Sequence, residues 1–349
     1  MNTEISYYLL TFICFYFLLT SINYFLDRKK ILLYKTYKQK HKRKNFEKNI
    51  VLSGGIFFLV ILIVTNFQIN FQLLNFVIYG LFFVVVGIFS DLNKGITART
   101  RLFIMFLISF IILINSQLII DKIDIKIIDF FLKFNLLSIL IFTVAIVTII
   151  NGSNFIDGNN ANCSGYFFLV YLLLILKSEN FNFDLNDYTL LKNIFIGLGV
   201  FSILNLYNRN YLGDNGAYFL GFLTSLISIY FYTKYSIPSL LIVAFFSYPV
   251  AEISLSIIRK FIEKQNPMNP DRRHLHQLIE AKMFLNQSKL VKNNLSTVLI
   301  MSLNLIYFIF LINSDLSKVN LIQIISGYYF IYISLYLSLR IFKISKKKK

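Results

Sequence analysis

From Tyr7 to Phe342 the sequence is a succession of apolar runs close to bilayer-spanning length, with little chain left between them. A hydrocarbon core of about 30 Å asks for roughly 20 apolar residues per helix. Eleven runs meet or approach that length, at 4–26, 50–66, 71–89, 102–120, 135–151, 163–177, 188–207, 217–233, 239–258, 294–313 and 321–342. In lipid every backbone N–H and C=O must be satisfied within the span, so runs of this kind fold as helices. The expectation is an all-α, polytopic membrane bundle of ten or eleven helices forming one domain over 1–349. Composition closes the alternatives. Hydrophobic residues make up 56% and charged residues 15%, against about 25% charged in soluble domains, and mean hydropathy is +0.65. Soluble multidomain, disordered, fibrous and disulfide-rich classes are excluded. Cys14 and Cys163 lie in or beside apolar runs with no metal-ligand spacing, so neither a disulfide nor zinc is expected. The first run begins beside Glu4 rather than a basic region and is expected to be a span, not a cleaved signal.

A net charge of +18 would raise nucleic acid as a partner in a soluble chain. Its placement favours topology instead. With the N-terminus outside, the inner segments 27–49, 90–101, 208–216, 259–293 and 340–349 hold 28 of the 35 Lys and Arg. That bias follows the positive-inside rule and places the C-terminal basic tail, 343–349, inside, against an anionic leaflet. The segments 27–49 and 259–293 are expected to be basic cytoplasmic loops, and nucleic acid is not expected as a partner.

Four inner segments carry polar groups that topology does not require: 87–101, 151–165, 205–218 and 266–279. Asp91, Asp157 and Asp214 each fall at an inner end of a run. One such acid is ordinary where a helix meets water. Three brought to one membrane level repel unless a cation lies between them. A magnesium ion suits such a cluster, since it takes a few carboxylates and fills its shell with water and phosphate oxygens. The fourth segment holds Arg272, Arg273, His274 and His276, donors for phosphate oxygens. Two histidines two residues apart do not share a helix face, which argues against a zinc pair.

These segments together resemble the polyprenyl-phosphate N-acetylhexosamine-1-phosphate transferases, a family that includes phospho-N-acetylmuramoyl-pentapeptide transferase and enzymes that initiate O-antigen and teichoic acid synthesis. The resemblance runs from Ser53-Gly54-Gly55 to His276. It is carried by Asn151, Asn154, Asp157 and Gly158 in an NxxNxxDG frame, by Leu212 to Gly216 in an LGDxG frame, and by the PDRRHLHQ segment from Pro270 to Gln277. Two positions depart from the family pattern: Ser90 stands where the first of two paired aspartates is usual, and Asn160 where a second acid is usual.

The resemblance implies transfer of a sugar-1-phosphate from a UDP-N-acetylsugar to undecaprenyl phosphate with release of UMP, at the cytoplasmic face of a bacterial inner membrane. It implies Asp214 as ligand for Mg2+, or for Mn2+ in its place, and Asp91, Asp157, His274 and His276 as catalytic residues. Asn151, Asn154, Asn160, Asn205, Arg272 and Arg273 would bind substrate. For Asp91 the lipid phosphate, with a second pKa of about 6, is already ionised and leaves a base little to remove. Cation positioning or proton control is the favoured role and a covalent aspartyl-phosphate the lesser one. Glu252, inside the ninth run, reads equally as a bundle partner or part of a lipid groove. Lys94, Arg99 and Arg101 are accounted for by topology. A transporter, a non-catalytic relative and a homodimer all stay open at this level, as do the sugar and the polymer built from it.

Overall fold

A computed structural model describes residues 2–40, 43–66, 71–92, 96–116, 118, 120–266, 273–284 and 286–341. Its helices, in chain order, are α1 (Asn2–Lys29), α2 (Gly54–Asn66), α3 (Phe71–Asp91), α4 (Ala98–Ser116), α5 (Lys126–Leu132), α6 (Asn135–Ile156), α7 (Asn162–Leu176), α8 (Leu185–Leu206), α9 (Gly213–Tyr235), α10 (Ser239–Phe245), α11 (Ser247–Ile262), α12 (Leu275–Lys282), α13 (Lys289–Asn313) and α14 (Lys318–Ile341). Each of the eleven apolar runs centres on a helix, the ninth on the bent pair α10 and α11. Among the described residues seven helices are long and apolar enough to cross a bilayer, or eight if the bent pair counts as one span. Three more are apolar but shorter: Gly54–Thr65, Asn75–Asp91 and Asn162–Leu176. These pack against α8 or α9 in the interior.

The bundle is organised around α9. Every residue from Ala217 to Phe231 is buried, as expected of a helix apolar on all sides, and α2, α3 and α6 surround it. On the outer helices large apolar side chains face outward, among them Leu10 and Phe17 of α1 and Phe330 of α14, which is 73% exposed. A multi-pass membrane protein accounts for that surface, because lipid tails take up the side chains that water rejects. The 66° bend between α10 and α11 has a local cause. In a continuous helix the ring of Pro249 would meet the carbonyl four residues earlier, at Phe245, where α10 stops.

One element departs from the all-α expectation. Strands β1 (Leu33–Lys40) and β2 (Arg43–Leu52) pair antiparallel, and β3 (Asn210–Tyr211) adds to β2 in parallel. The basic segment 27–49 is therefore the end of α1 and most of a hairpin. The register Val51 to Asn210 and Leu52 to Tyr211 holds the chain before α2 against the chain before α9. Segment 259–293 likewise contains the end of α11, all of α12 and the first turn of α13. The basic tail 343–349 lies outside the described residues.

Candidate active site at one end of the bundle

The polar segments that are far apart in sequence meet at one end of this bundle: the C-terminal ends of α3, α6, α8 and α11, the N-terminal ends of α4 and α9, and α12. Asp214 stands in the first turn of α9 rather than in a free turn. Its start depends on Gly213, whose φ of +73° is the left-handed conformation open to glycine. A Cβ there would also lie 2.9 Å from Asp91 Oδ2.

Asp91, at the end of α3, caps α9. Its Oδ1 accepts from the Asp214 amide at 2.9 Å, and its Oδ2 from the Asn215 amide at 3.1 Å and from Asn215 Nδ2 at 2.6 Å. A carboxylate at a helix N-terminus satisfies donors that have no partner within the helix and opposes the helix dipole. Asn215 in turn accepts from the Gly55 amide at 2.6 Å, which ties the Ser53-Gly54-Gly55 segment into the same turn.

Asp214 is the most heavily bonded acid of the site. Its Oδ1 accepts from Asn154 Nδ2 at 2.6 Å. Its Oδ2 accepts from Arg101 Nη1 at 3.0 Å, from Tyr218 OH at 3.2 Å and from the Ser90 hydroxyl. Arg101 also donates to Ser90. Where the family usually has a second carboxylate, this chain thus has a neutral hydroxyl between an acid and a guanidinium. Asp157, just past α6, is pushed well above the usual carboxylate range by burial and by the nearby Asp214 and Asp91 charges.

Two adjoining cavities share Arg101, Asp157, Gly158 and Asp214. The first, about 510 Å³, is also lined by Asn151, Asn154, His274, His276, Lys260 and an apolar rim of Leu102, Phe155, Ile253 and Ile257. The second, about 480 Å³, is lined by Ser90, Asp91, Asn159, Asn160, Asn205, Asn293, Lys289 and the rings of Tyr34 and Tyr211.

The histidines occupy the first cavity under different constraints. His274 Nδ1 donates to Glu252 Oε2 at 3.0 Å, and Glu252 Oε1 accepts from the Leu275 amide at 3.0 Å. His276 is fully buried with neither ring nitrogen hydrogen-bonded among the described residues. Burial lowers its pKa to about 4, so the ring is neutral at pH 7. A Cβ on Gly158 would lie 1.9 Å from His276 Nε2, so only glycine admits the ring here.

The asparagines divide between site and scaffold. Asn154 reaches Asp214 directly, and Asn151 lines the first cavity while donating to Val147 O at 2.8 Å. Asn205 and Asn160 line the second cavity, but their amides are engaged. Asn205 accepts from the Ala161 amide and donates to Asn210 O at 2.6 Å. Asn160 donates to Asn208 Oδ1 at 2.8 Å and Asn294 Oδ1 at 3.3 Å, and its own amide donates to Asn293 Oδ1 at 2.7 Å. Arg273 is not brought to either cavity: its guanidinium forks onto Glu263 at 2.9 and 2.8 Å. Arg272 lies outside the described residues.

Sequence reasoning passed over Arg101 and Lys260, because a basic residue at a span end looks the same whether it serves topology or a ligand. Glu252 had a usable signal, an acid inside an apolar run. Among the described residues no group of three His, Cys, Asp or Glu forms a ready-made metal site. The donor set still fits a hard divalent ion. Asp157 and Asp214 line both cavities and bring carboxylate oxygens to their common wall, and magnesium completes its octahedron with water and phosphate oxygens.

Part of the chain is similar to known proteins. Residues 73–232 match the family described as Glycosyl transferase family 4. The chain is 25% identical over 142 residues to the undecaprenyl-phosphate alpha-N-acetylglucosaminyl 1-phosphate transferase of Thermotoga maritima, a match that covers 41% of this chain and 43% of that protein. Asp91, Arg101, Asn154, Asp157, Asn205 and Asp214 all lie within residues 73–232. Residues 73–232, a little under half of the chain, are thus similar to glycosyl transferase family 4.

Proposed function

We propose that the protein transfers a sugar-1-phosphate of the N-acetylhexosamine type from a UDP-sugar to undecaprenyl phosphate, releasing UMP, at the cytoplasmic end of its bundle in the inner membrane. The product would begin a cell-surface polysaccharide. One observation carries the reading: Asp157 and Asp214, with Arg101, form the common wall of two cavities at a helix-bundle end, one rimmed by apolar side chains and one lined by asparagines. A reaction between a lipid phosphate and a nucleotide needs that pairing, since one substrate arrives through the bilayer and the other from water.

The residues divide the work accordingly. Ile253, Ile257, Leu102 and Phe155 suit the first isoprene units, with Lys260 and Arg101 beside them for the lipid phosphate. Asn159, which lines the second cavity, offers an amide donor and acceptor toward a uracil or sugar, and Asn160 holds the wall beside it. An oxygen of the lipid phosphate attacks the phosphorus that bears the sugar, and the bond from that phosphorus to the oxygen bridging to UMP breaks. Positioning and charge neutralisation dominate phosphoryl transfer. Asp214 and Asp157 would hold the magnesium, which would supply charge neutralisation on the diphosphate. Arg101 carries a positive charge within reach of the same phosphates, and Asp91 holds the turn that places Asp214.

The test is UMP release by purified protein with undecaprenyl phosphate, magnesium and a panel of UDP-N-acetylsugars. The expected result is release with at least one sugar, reduced at least a hundredfold by Asp214→Asn, on the scale of losing one electrostatic stabiliser, about 10²–10³. Lipid or sugar transport without UMP, or neither activity, would refute the reading. The panel also identifies the sugar.

A further inference from the structure

Glu252 has no role in the reaction as described so far, yet it is a carboxylate at 2% exposure within an apolar span. Such a group is expensive to keep in lipid unless its charge is used. Capping α12 does not account for it. The Leu275 amide takes one oxygen, and a neutral acceptor serves that purpose as well. The other oxygen takes His274 Nδ1 from a different element, at 3.0 Å. Phe155 covers the ring at a centroid distance of 4.9 Å, and His276 lies parallel to it at 5.8 Å. The ring is thus fixed in plane and in tilt, with Nδ1 turned to Glu252, and His274 lines the first cavity.

We infer that Glu252 is a positioning residue: it holds His274 with the proton on Nδ1 and fixes the orientation in which the ring meets the phosphate groups in the first cavity. A carboxylate behind an imidazole sets its tautomer, orients it and stabilises its cation. The other charged or titratable groups lining that cavity are Arg101 of α4, Asp157 after α6, Asp214 and Tyr218 of α9, Lys260 of α11 and His276 of α12. The kinetic part of this inference rests on the transferase reading; the structural part does not.

Glu252→Gln separates positioning from capping. The introduced amide keeps a carbonyl oxygen that can still accept from the Leu275 amide, while its NH2 turns a donor toward Nδ1 and forces the proton to Nε2. The chain has three histidines, so ¹⁵N-histidine labelling in nanodiscs gives few enough signals to assign with His41→Gln and His276→Gln. The expected spectrum shows His274 protonated at Nδ1 in the wild type and with a bare Nδ1 in the variant. In the UMP-release assay kcat should fall by about a hundredfold or more, as when a triad carboxylate is made neutral. KM for the UDP-sugar should stay within about threefold, because the ring remains in place. A wild-type His274 with a bare Nδ1 overturns the inference even if the variant does not fold. So does a Glu252→Gln variant with wild-type kcat. A wild type that releases no UMP refutes the transferase reading instead and leaves the tautomer result to be judged by itself.

Discussion

Replacing Asp91 with asparagine tests whether this acid works through geometry or as a nucleophile. In the structure it accepts three hydrogen bonds, two from backbone amides that begin α9 and one from Asn215. An asparagine keeps one acceptor oxygen and turns an NH2 toward donors on the other side. The charge is lost and at least one bond becomes a donor-to-donor clash. Hydrogen bonds to charged groups are worth about 1.5–3 kcal/mol each, and part of the site is open to solvent, so a loss of about 2–4 kcal/mol at this turn is expected. Asp214 then leaves its place beside Arg101 and Asn154, and UMP release falls with it. The assay is thermal unfolding in detergent together with kcat and KM: Asp91→Asn should melt at a lower temperature and lose activity in parallel. A covalent aspartyl-phosphate would require Asp91 to give up its three donors first. Exchange of [³²P]UMP into UDP-sugar without lipid acceptor should therefore be absent. Rapid exchange, together with an Asp91→Asn variant that melts like the wild type and is inactive, would refute the capping argument.

Other consequences can be checked singly. His276 has a folded pKa of about 4 against an ordinary 6.5; a depressed value means the neutral ring contributes stability that is complete above pH 6.5 and is lost as pH falls toward 4. Melting temperature should drop across that window in the wild type and drop less in His276→Gln. Asn160→Asp restores the family's acid, but Asn160 donates to Asn208 and Asn294, so an acceptor there should lower the melting temperature without raising UMP release. Arg273→Ala breaks a pair with Glu263 away from the cavities and should change kcat by less than about threefold, since an ion pair screened by solvent and remote from the substrates contributes little.

Much of the fold was open to inspection in the chain itself, because lipid imposes one rule on every span. The eleven apolar runs centre on helices, and the three acids at their ends come together at one end of the bundle. The paired strands Leu33–Lys40 and Arg43–Leu52 were not legible in the sequence. Their lysines had already been explained by charge placement, although Leu33, Tyr34, Thr36 and Tyr37 favour a strand.

Composition and periodicity thus specified the environment, the helices and the identity of the polar groups, since hydropathy and turn chemistry are local properties. Partnership was decided by packing: that Asp91 would cap α9, that Arg101 would face Asp214, that Glu252 would reach His274 and that Arg273 would turn away to Glu263. The first two choices depend on the relative depth and rotation of helices far apart in the chain, and the last two on how the start of α12 approaches α11; none of these is encoded in hydropathy or turn chemistry.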